Sequence, residues 1–525
     1  MVIQGAYLNR CMRPYFLTRI FEVAPLRWLW PLGVLLFYML TFPENQSEAE
    51  DVYDFAFRVE QGKLDQLVGM NRLLALPIFA GIYQLVEWTG VGSRAFEVMV
   101  GLNQLMAVAS LWLFKLLMQQ LFSWKFSGSD LRLFSGMATG LLAVSYGFWR
   151  YANTAETYML AIFFMLLSWC FVQRGSLWIG ALVSGVGILV HLLNVVPLLF
   201  AVGFYYLLEK RFRAVAIHGL VVGVVVLVGY GIFWEFLAID TLGAQHHGLE
   251  GGLSLSNGLR GLLAMGQCVV SANFLFGFEW FRELLVNFFP SRMLDEEFFM
   301  AEHMAGGVAI FGIFSLLVVV FCVIRSVRVS RPVALYRSTL LTLIVWFALY
   351  AIAVIRTEAG SVELWIMALI PFWLMVSHFL SPNRMGWLLV GLLLHNGVAG
   401  VLPILDSSTD YHRAKSETIM QLSGEGDLVL IDYEPILHFY LRYYDNATVM
   451  CSADYSKAEI EEQILNWNGA VWTVNSFFEP MESLKMRYPA MFERQIEVGQ
   501  QVKDLFEQVE TDSFGGIYRK RDVDE

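Results

Sequence analysis

Long stretches without a charged side chain constrain this protein more than any other feature. Residues 177–208 contain no Lys, Arg, Asp or Glu, and residues 306–324 are equally free of charge. In hydrocarbon, every backbone N–H and C=O group must be bonded within its own segment, so such runs are typical of spanning helices. Charged residues make up only 16% of the chain, whereas soluble domains have about 25%. The sequence predicts a polytopic membrane protein.

Eleven segments have the apolar content expected of spanning helices. By residue number they are 28–42, 95–114, 133–148, 157–172, 177–190, 192–208, 214–237, 306–324, 338–355, 364–380 and 386–405. We therefore predict a mainly α membrane domain over residues 1–405, with about 11 transmembrane helices.

The Lys and Arg residues of the short loops orient these spans, because cytoplasmic loops are enriched in both. With the N-terminus in the cytoplasm, basic clusters such as Lys210, Arg211 and Arg213 fall in inner loops, and acidic residues crowd the first outer loop. This alternation requires segment 73–90 to lie on the outer surface as an interfacial helix. The outer loops are then 43–94 and 238–305, in an inner, plasma or endoplasmic reticulum membrane.

The composition changes after Leu405. Short apolar stretches at 427–432, 447–452 and 470–475 alternate with helical patterns at 435–443 and 457–467. This alternation predicts a small, extracytoplasmic α/β domain with a partly parallel sheet over residues 406–525. The net charge of −11 argues against nucleic acid as a partner, because phosphate binding requires a basic surface.

Three sets of polar residues border or interrupt the apolar segments. Asp51 and Asp54 are three residues apart in the first outer loop, so on a helix they share a face. Arg150 and Glu156 bracket a short outer turn, and His191 lies where two spans reverse direction. Each set has an ordinary explanation: a solvated acidic loop, an interfacial salt bridge and a hydrogen-bonded turn residue. All three arrive at the same outer face, which predicts a polar site there.

The order of these features resembles the GT-C superfamily of membrane glycosyltransferases, in particular its protein O-mannosyltransferase-like branch. Asp51-Val-Tyr-Asp54 is similar to the acidic motif of the first outer loop, and Arg72-Leu-Leu-Ala-Leu-Pro77 is similar to the interfacial helix that follows it. Residues 149–160 resemble the pattern W-x-x-A-x-x-A-E-x-Y-x-L. Residues 185–197 resemble a glycine-rich stretch that ends in His and is followed by Pro.

The chain departs from this family pattern at three places. Asp54 stands where the branch often has Glu, and Arg72 where it often has His. Near the tenth span, the stretch from Leu364 to Pro371 lacks an arginine that the family frequently carries. Arg356, eight residues before Leu364, is the candidate substitute.

The resemblance implies transfer of a sugar from a polyprenyl-phosphate-linked donor to an acceptor hydroxyl on the extracytoplasmic face. The acceptor would be a protein, glycan or lipid. The donor would itself be a lipid of the membrane. An inverting reaction needs one carboxylate to take the proton of the acceptor. Asp51 would be this base, with Asp54 as its partner or as a group that positions the acceptor.

The leaving group is a phosphate, so it needs stabilisation by cations more than protonation. Arg150 and Arg356 are the phosphate candidates, and Arg72 is a weaker one. Glu156 would orient Arg150 or a sugar hydroxyl. His191 would contact the donor phosphate or the sugar.

Other interpretations of the sequence stay open. A transporter or flippase for a lipid-linked or small polar solute explains the spans and polar residues as well, although transporters usually show an internal repeat. A non-enzymatic assembly or anchoring protein would depend on the C-terminal domain. No metal cluster is evident in the sequence. Whether a divalent cation bridges Asp51 or Asp54 to phosphate stays open.

Overall fold

The computed structural model describes residues 26–49, 51–234, 253–288, 295–304, 307–326, 337–432, 435–480, 482–487, 489–512 and 515–521. The predicted cytoplasmic N-terminus, and residues 238–252, 289–294 and 305 of the predicted outer loop 238–305, lie outside the described residues. The same holds for residues 327–336, which belong to a predicted inner loop.

Helices make up most of the described chain. Through the membrane domain they are α1 Leu26–Leu40, α2 Val52–Gln61, α3 Leu64–Leu67, α4 Ala75–Trp88, α5 Ala95–Phe122, α6 Gly128–Val144, α7 Tyr146–Ala152, α8 Tyr158–Gln173, α9 Leu177–Val190, α10 Val202–Leu208, α11 Phe212–Ile232, α12 Leu255–Val269, α13 Glu279–Phe288, α14 Asp295–His303, α15 Val308–Ser326, α16 Arg337–Glu358, α17 Val362–Trp365, α18 Leu369–Phe379 and α19 Pro382–His395.

Each of the eleven predicted spans falls on a helical segment. Among the described residues, six segments are long and apolar enough to cross a membrane: Ala95–Phe122, Phe212–Ile232, Val308–Arg325, Ser338–Glu358, Val362–Phe379 and Pro382–Ile404. Shorter apolar helices cover four more predicted spans, at Leu29–Leu40, Tyr158–Gln173, Leu177–Val190 and Leu192–Leu208. An integral membrane protein is therefore confirmed, whereas eleven crossings and their orientation stay predictions.

The chain between α9 and α10 is irregular. His191 has an extended backbone, a short 3₁₀ turn follows at Leu192–Asn194, and a π-helical turn at Val196–Ala201 leads into α10. Pro197 lies in this π turn and has no backbone N–H to donate, which favours a break in regular helix. The irregular backbone turns the side chain of His191 out of the helical pattern.

Small residues let α9 and α11 approach closely just before this break. A methyl group on Gly185 would come within 2.6 Å of Val225, and one on Gly229 within 2.5 Å of Leu189. Both distances are shorter than van der Waals contact, so larger residues would push the helices apart. This packing explains the glycine-rich pattern that precedes His191.

The C-terminal domain forms the predicted α/β unit. Its helices are α20 Tyr411–Leu422, α21 Pro435–Tyr444, α22 Lys457–Asn466, α23 Asn475–Phe478, α24 Glu482–Arg487 and α25 Pro489–Val502, and its strands are β1 Leu428–Ile431, β2 Thr448–Cys451, β3 Val471–Val474, β4 Phe506–Asp512 and β5 Gly515–Lys520. The strand order is β2-β1-β3-β5-β4. Strand β1 pairs in parallel with β2 and β3, and β5 pairs antiparallel with β3 and β4.

Helix α21 belongs to two hydrophobic cores. Leu437 and Leu441 lie four residues apart and pack in the core of the sheet. Ile436, Tyr440 and Tyr443, on another face, join the core of the membrane domain. One helix therefore holds the two parts of the protein together.

Aromatic side chains dominate this contact. The ring of Tyr53 in α2 lies 4.8 Å from Tyr440, 5.8 Å from Tyr444 and 5.4 Å from Phe96. Such edge and stacked contacts are worth roughly 0.5–1.5 kcal/mol each beyond burial. Helix α2 is thus packed directly against the C-terminal domain.

Polar contacts extend the same interface. Ser47 donates to Oδ1 of Asp410 at 2.9 Å, and the backbone N–H of Gln46 donates to Oδ2 at 2.8 Å. Asp410 also caps α20 by accepting from the backbone N–H of Arg413. Residues before Asp51 are therefore fixed to the start of the C-terminal domain.

Replacing Tyr440 should loosen the docked domain. Tyr440→Ala removes a 7% exposed ring from the interface, and truncation of a buried aromatic side chain costs about 3–5 kcal/mol. We expect a lower Tm of the detergent-purified protein and faster proteolysis after Leu405. Tyr455→Ala, at a 40% exposed ring, is the control and should change neither. Equal behaviour of the two variants would contradict a stabilising interface.

Candidate active site

Two backbone hydrogen bonds bring distant segments of the chain together at one end of the helical bundle. The N–H of Leu74 donates to the carbonyl of Leu189, and the N–H of Leu192 donates to the carbonyl of Asn71, both at 2.9 Å. The loop before α4 is thereby joined to the end of α9. This pairing places Arg72 beside His191.

Arg72 forms an ion pair with Asp51, the residue before α2. Nη1 and Nη2 of Arg72 both donate to Oδ2 of Asp51, at 3.2 and 3.1 Å. The guanidinium also lies 4.5 Å from the centre of the Phe55 ring. The Asp51 side chain is 39% exposed and that of Arg72 is 22% exposed. The pair is therefore fixed but open to a ligand.

Glu156 approaches this pair from the turn between α7 and α8. Asn103 of α5 holds the turn by donating to the backbone carbonyls of Thr154 and Glu156. Gln104, the next residue, donates to the side chain of Asn153. These amide contacts explain why a turn inside an apolar setting keeps a defined shape.

The environment of Glu156 favours its neutral form. Burial, and after it the charge of Asp51, raises the pKa of Glu156 to about 8, although Arg72 acts in the opposite direction. A carboxyl group with this pKa is mostly protonated at pH 7, so it can donate a hydrogen bond. Glu156 can therefore donate a hydrogen bond, whereas Asp51 accepts hydrogen bonds from Arg72.

His191 completes the cluster. Its Nδ1 accepts from the backbone N–H of Leu193 at 3.3 Å, and its ring lies 5.3 Å from that of Tyr158. Burial, and after it the charge of Arg72, lowers the pKa of His191 to about 3. The neutral ring with Nδ1 as acceptor carries its proton on Nε2, where it can donate.

Arg150 belongs to a second, more buried group. Its Nε lies 3.5 Å from Oε2 of Glu48, and its side chain is fully buried. Tyr146 donates to Oε2 of Glu48 and Asn273 donates to Oε1, both at 2.7 Å. The guanidinium nitrogens make no hydrogen bond with any residue that the structure describes. The structure thus pairs Arg150 with Glu48. That Glu156 orients Arg150 or a sugar hydroxyl stays a prediction.

Asp54 points toward the C-terminal domain. Its Oδ2 lies 2.6 Å from Nε of Arg58, and its Oδ1 lies 3.8 Å from Nη1 of Arg442 in α21. Its side chain is 4% exposed. Burial raises the pKa of Asp54, while Arg58 and Arg442 act in the opposite direction. Asp54 therefore joins α2 to α21.

Arg356 and Glu363, which precede the tenth predicted span, differ in their proximity to the cluster. Arg356 is exposed near the end of α16, and no contact joins it to the cluster in the described part of the chain. Glu363, at the start of α17, lies close enough to Arg72 and Tyr158 to interact with them electrostatically. Glu363 was not among the predicted site residues, although it directly precedes the predicted span 364–380.

Comparison with known proteins gives fold-level likenesses. No protein-family model matches the sequence, and no curated protein matches it. The chain is similar to ArnT from Cupriavidus metallidurans in the apo state, with 12% identity and a TM-score of 0.48 over 94% of this chain and 98% of that one. The structure of ArnT bound to undecaprenyl phosphate gives 10% identity and a TM-score of 0.49 over 95% of this chain and 99% of that one.

A further likeness is to the archaeal oligosaccharyltransferase AglB from Archaeoglobus fulgidus, in complex with an inhibitory peptide and a dolichol-phosphate. It has 12% identity and a TM-score of 0.43 over 95% of this chain and 75% of that one. TM-scores below 0.5 support no functional assignment, which therefore depends on the residues of the site.

The raised pKa of Glu156 predicts a pH-dependent stability. The folded protein keeps a proton that the unfolded chain releases above pH 4.5, so stability falls as the pH rises from about 4.5 to about 8. Glu156→Gln has no such proton. We expect its Tm, relative to wild type, to increase between pH 5 and pH 8, with an upper bound of about 1.4 kcal/mol per pH unit.

Glu87→Gln is the matched control, because Glu87 is an exposed glutamate on α4. Its Tm difference from wild type should not change over this pH range. A difference for Glu156→Gln that is equally flat would contradict the buried, protonated carboxyl.

Glu48 and Arg150 should be strongly coupled. Glu48→Gln keeps the shape of the side chain but leaves a buried guanidinium without its counter-charge, which should cost about 1–3 kcal/mol. The double variant Glu48→Gln/Arg150→Met removes both charges and should recover part of that loss. Thermal unfolding of the four proteins in detergent measures the coupling, and additive effects would refute it.

Proposed function

We propose that this protein transfers a sugar from a polyprenyl-phosphate-linked donor to an acceptor hydroxyl at the extracytoplasmic face of the membrane, with inversion. Asp51 is the proposed base. The observation that carries the proposal is the meeting of Asp51, Arg72, Glu156 and His191 at one end of the bundle. These residues come from three separate segments of the chain: Asp51 and Arg72 lie in the first, Glu156 in the second and His191 in the third.

The exposure of the two arginines supports Arg72 as the phosphate-binding group. The Arg72 side chain is 22% exposed, whereas that of Arg150 is fully buried behind Glu48. A donor phosphate could therefore reach Arg72 without rearrangement of the core. Arg150 keeps the role of a buried positive charge that favours an anion at this end of the bundle.

The ion pair gives the base a way to become available. The donor phosphate is an anion, so it competes with Asp51 for the guanidinium of Arg72. As Arg72 turns to the phosphate, one carboxylate of the site loses its partner. Asp51 can then accept a proton from the acceptor hydroxyl.

The proposed reaction is a single displacement. The acceptor oxygen forms a bond to the anomeric carbon while its proton passes to Asp51. The bond between that carbon and the phosphate oxygen breaks, and the electron pair leaves with the phosphate. Arg72 stabilises the charge that develops on the leaving group. One displacement at the anomeric carbon inverts its configuration.

Two neutral donors are available to hold the sugar. Glu156 is mostly protonated at pH 7, and His191 presents the N–H of Nε2 because its Nδ1 accepts from Leu193. Hydrogen bonds from such groups orient sugar hydroxyls without adding charge. We assign Asp54 to positioning, because its contacts with Arg58 and Arg442 hold α2 against the C-terminal domain.

Asp51→Asn is the decisive variant. Asparagine keeps the size of the side chain and an acceptor for Arg72 but cannot take up a proton. Turnover should therefore fall by roughly 10²–10⁴ while the protein still folds. The measurement is transfer of radiolabelled sugar from polyprenyl-phosphate donors in membranes at matched expression.

Asp65→Asn is the control, because Asp65 is an exposed acid of the same outer loop, and it should retain wild-type transfer. Wild-type turnover in Asp51→Asn would remove Asp51 as the base. If wild-type protein transferred no sugar from any lipid-linked donor, the transporter or flippase interpretation would take precedence.

A further inference from the structure

The C-terminal sheet has a feature typical of ligand-binding α/β domains. Strand β1 lies between β2 and β3, and both pairings are parallel. The chain passes from β1 through α21 to β2, and then through α22 to β3. The strand order therefore reverses between β1 and β3. Ligands of such sheets bind beyond the carboxyl ends of the strands.

Three side chains with metal-binding chemistry meet beyond these carboxyl ends. His438 comes from α21, Cys451 is the last residue of β2, and Asp454 lies in the short turn that follows β2. One ligand atom from each lies within 4.8 Å of the other two. His438 and Cys451 are buried, whereas Asp454 is exposed. The group is thus closed on the inside and accessible from one side.

We propose that His438, Cys451 and Asp454 bind a zinc ion in the C-terminal domain. Imidazole nitrogen, thiolate sulfur and carboxylate oxygen are the three ligand types that zinc accepts in proteins. Magnesium and calcium require oxygen ligands, so this mixed set disfavours both. A thiolate and a carboxylate together balance the two charges of the ion.

Zinc binding requires the three ligand atoms to move only slightly closer together. Ligand atoms of a tetrahedral zinc site lie roughly 3.3–3.8 Å apart, given bonds of about 2.0–2.3 Å. A shift of about 1 Å brings the three atoms within this range. Asp454 can supply most of it, because it lies on an exposed 3₁₀ turn. Three protein ligands leave the fourth position for water or another small ligand.

Polar contacts order the chain around the proposed site. The Sγ of Cys451 lies 3.7 Å from the backbone carbonyl of Asp432, which directly follows β1. Ser476 donates to Oδ1 of Asp432 at 2.9 Å, and Ser452 donates to Gln495 at 2.9 Å. These contacts fix the residues next to the ends of β1 and β2. On binding zinc as a thiolate, Cys451 would give up its S–H contact with the carbonyl of Asp432.

The site would also fix the helix that joins the two parts of the protein. His438 and Arg442 are four residues apart on α21, so they lie on the same side of the helix. Arg442 reaches Asp54 of the first outer loop. A zinc ion that ties His438 to β2 would therefore restrict α21 close to this contact.

Metal binding by the full-length protein tests the proposal. The protein is purified in detergent without a histidine tag, stripped with a chelator and titrated with zinc in competition with a chromophoric chelator. We expect one zinc per chain and a higher Tm on binding. Cobalt in place of zinc should give the absorption band of a thiolate-to-cobalt charge transfer.

Single substitutions identify the ligands. Cys451→Ser and Asp454→Asn should each weaken zinc binding about tenfold or more, and Cys451→Ser should lose the cobalt band. Asp454 is exposed, so its variant should fold normally and keep the test independent of core packing. Cys322→Ser, at a buried cysteine of α15, is the control and should bind zinc like wild type.

Two results would overturn the proposal: no stoichiometric zinc uptake by the wild type, or uptake unchanged in both Cys451→Ser and Asp454→Asn. Neither result depends on sugar transfer, so the zinc site and the proposed function can fail separately.

Discussion

The backbone pairing between the loop before α4 and the end of α9 supports the whole candidate site. Near the membrane, unpaired N–H and C=O groups are costly, so an irregular backbone persists only where another segment satisfies it. The bonds of Leu74 to Leu189 and of Leu192 to Asn71 do this for both segments at once. Arg72 and His191 extend from the paired backbone, and Asp51 follows through its ion pair with Arg72. The arrangement of side chains at this end of the bundle therefore depends on the hydrogen bonds between two irregular segments, the loop before α4 and the end of α9.

The charged residues of the site form two groups that differ in solvent exposure. The open pair contains Asp51 and Arg72, and the closed group contains Arg150 and Glu48. Charge interactions are weakened by solvent and strengthened in the interior, so the closed group sets a fixed field while the open pair can change partners. Both properties suit the proposed binding of an anionic lipid donor.

The sequence predicted the long apolar helices and three of the five described strands, because their signals are local. Uncharged runs marked the helices of the membrane domain, and short apolar stretches marked β1, β2 and β3 within about one residue. The order of the predicted spans also placed Asp51, Glu156 and His191 on the same predicted outer face. The sequence could not pair Arg150 with Glu48 or find Glu363, because such partners are chosen by packing between helices far apart in the chain. Charge alone does not distinguish an exposed arginine such as Arg356 from one that the core encloses.

The two faces of α21 affect how a shortened protein would behave. If the chain ended before α20, the rings of Tyr53 and Phe96 would lose their cover and Asp54 would lose Arg442. An apolar surface of this kind promotes aggregation. The separated C-terminal fragment would expose Tyr440 and Tyr443 in the same way. A truncated protein without activity would thus report the loss of a shared structural support, whether or not the removed residues take part in the reaction.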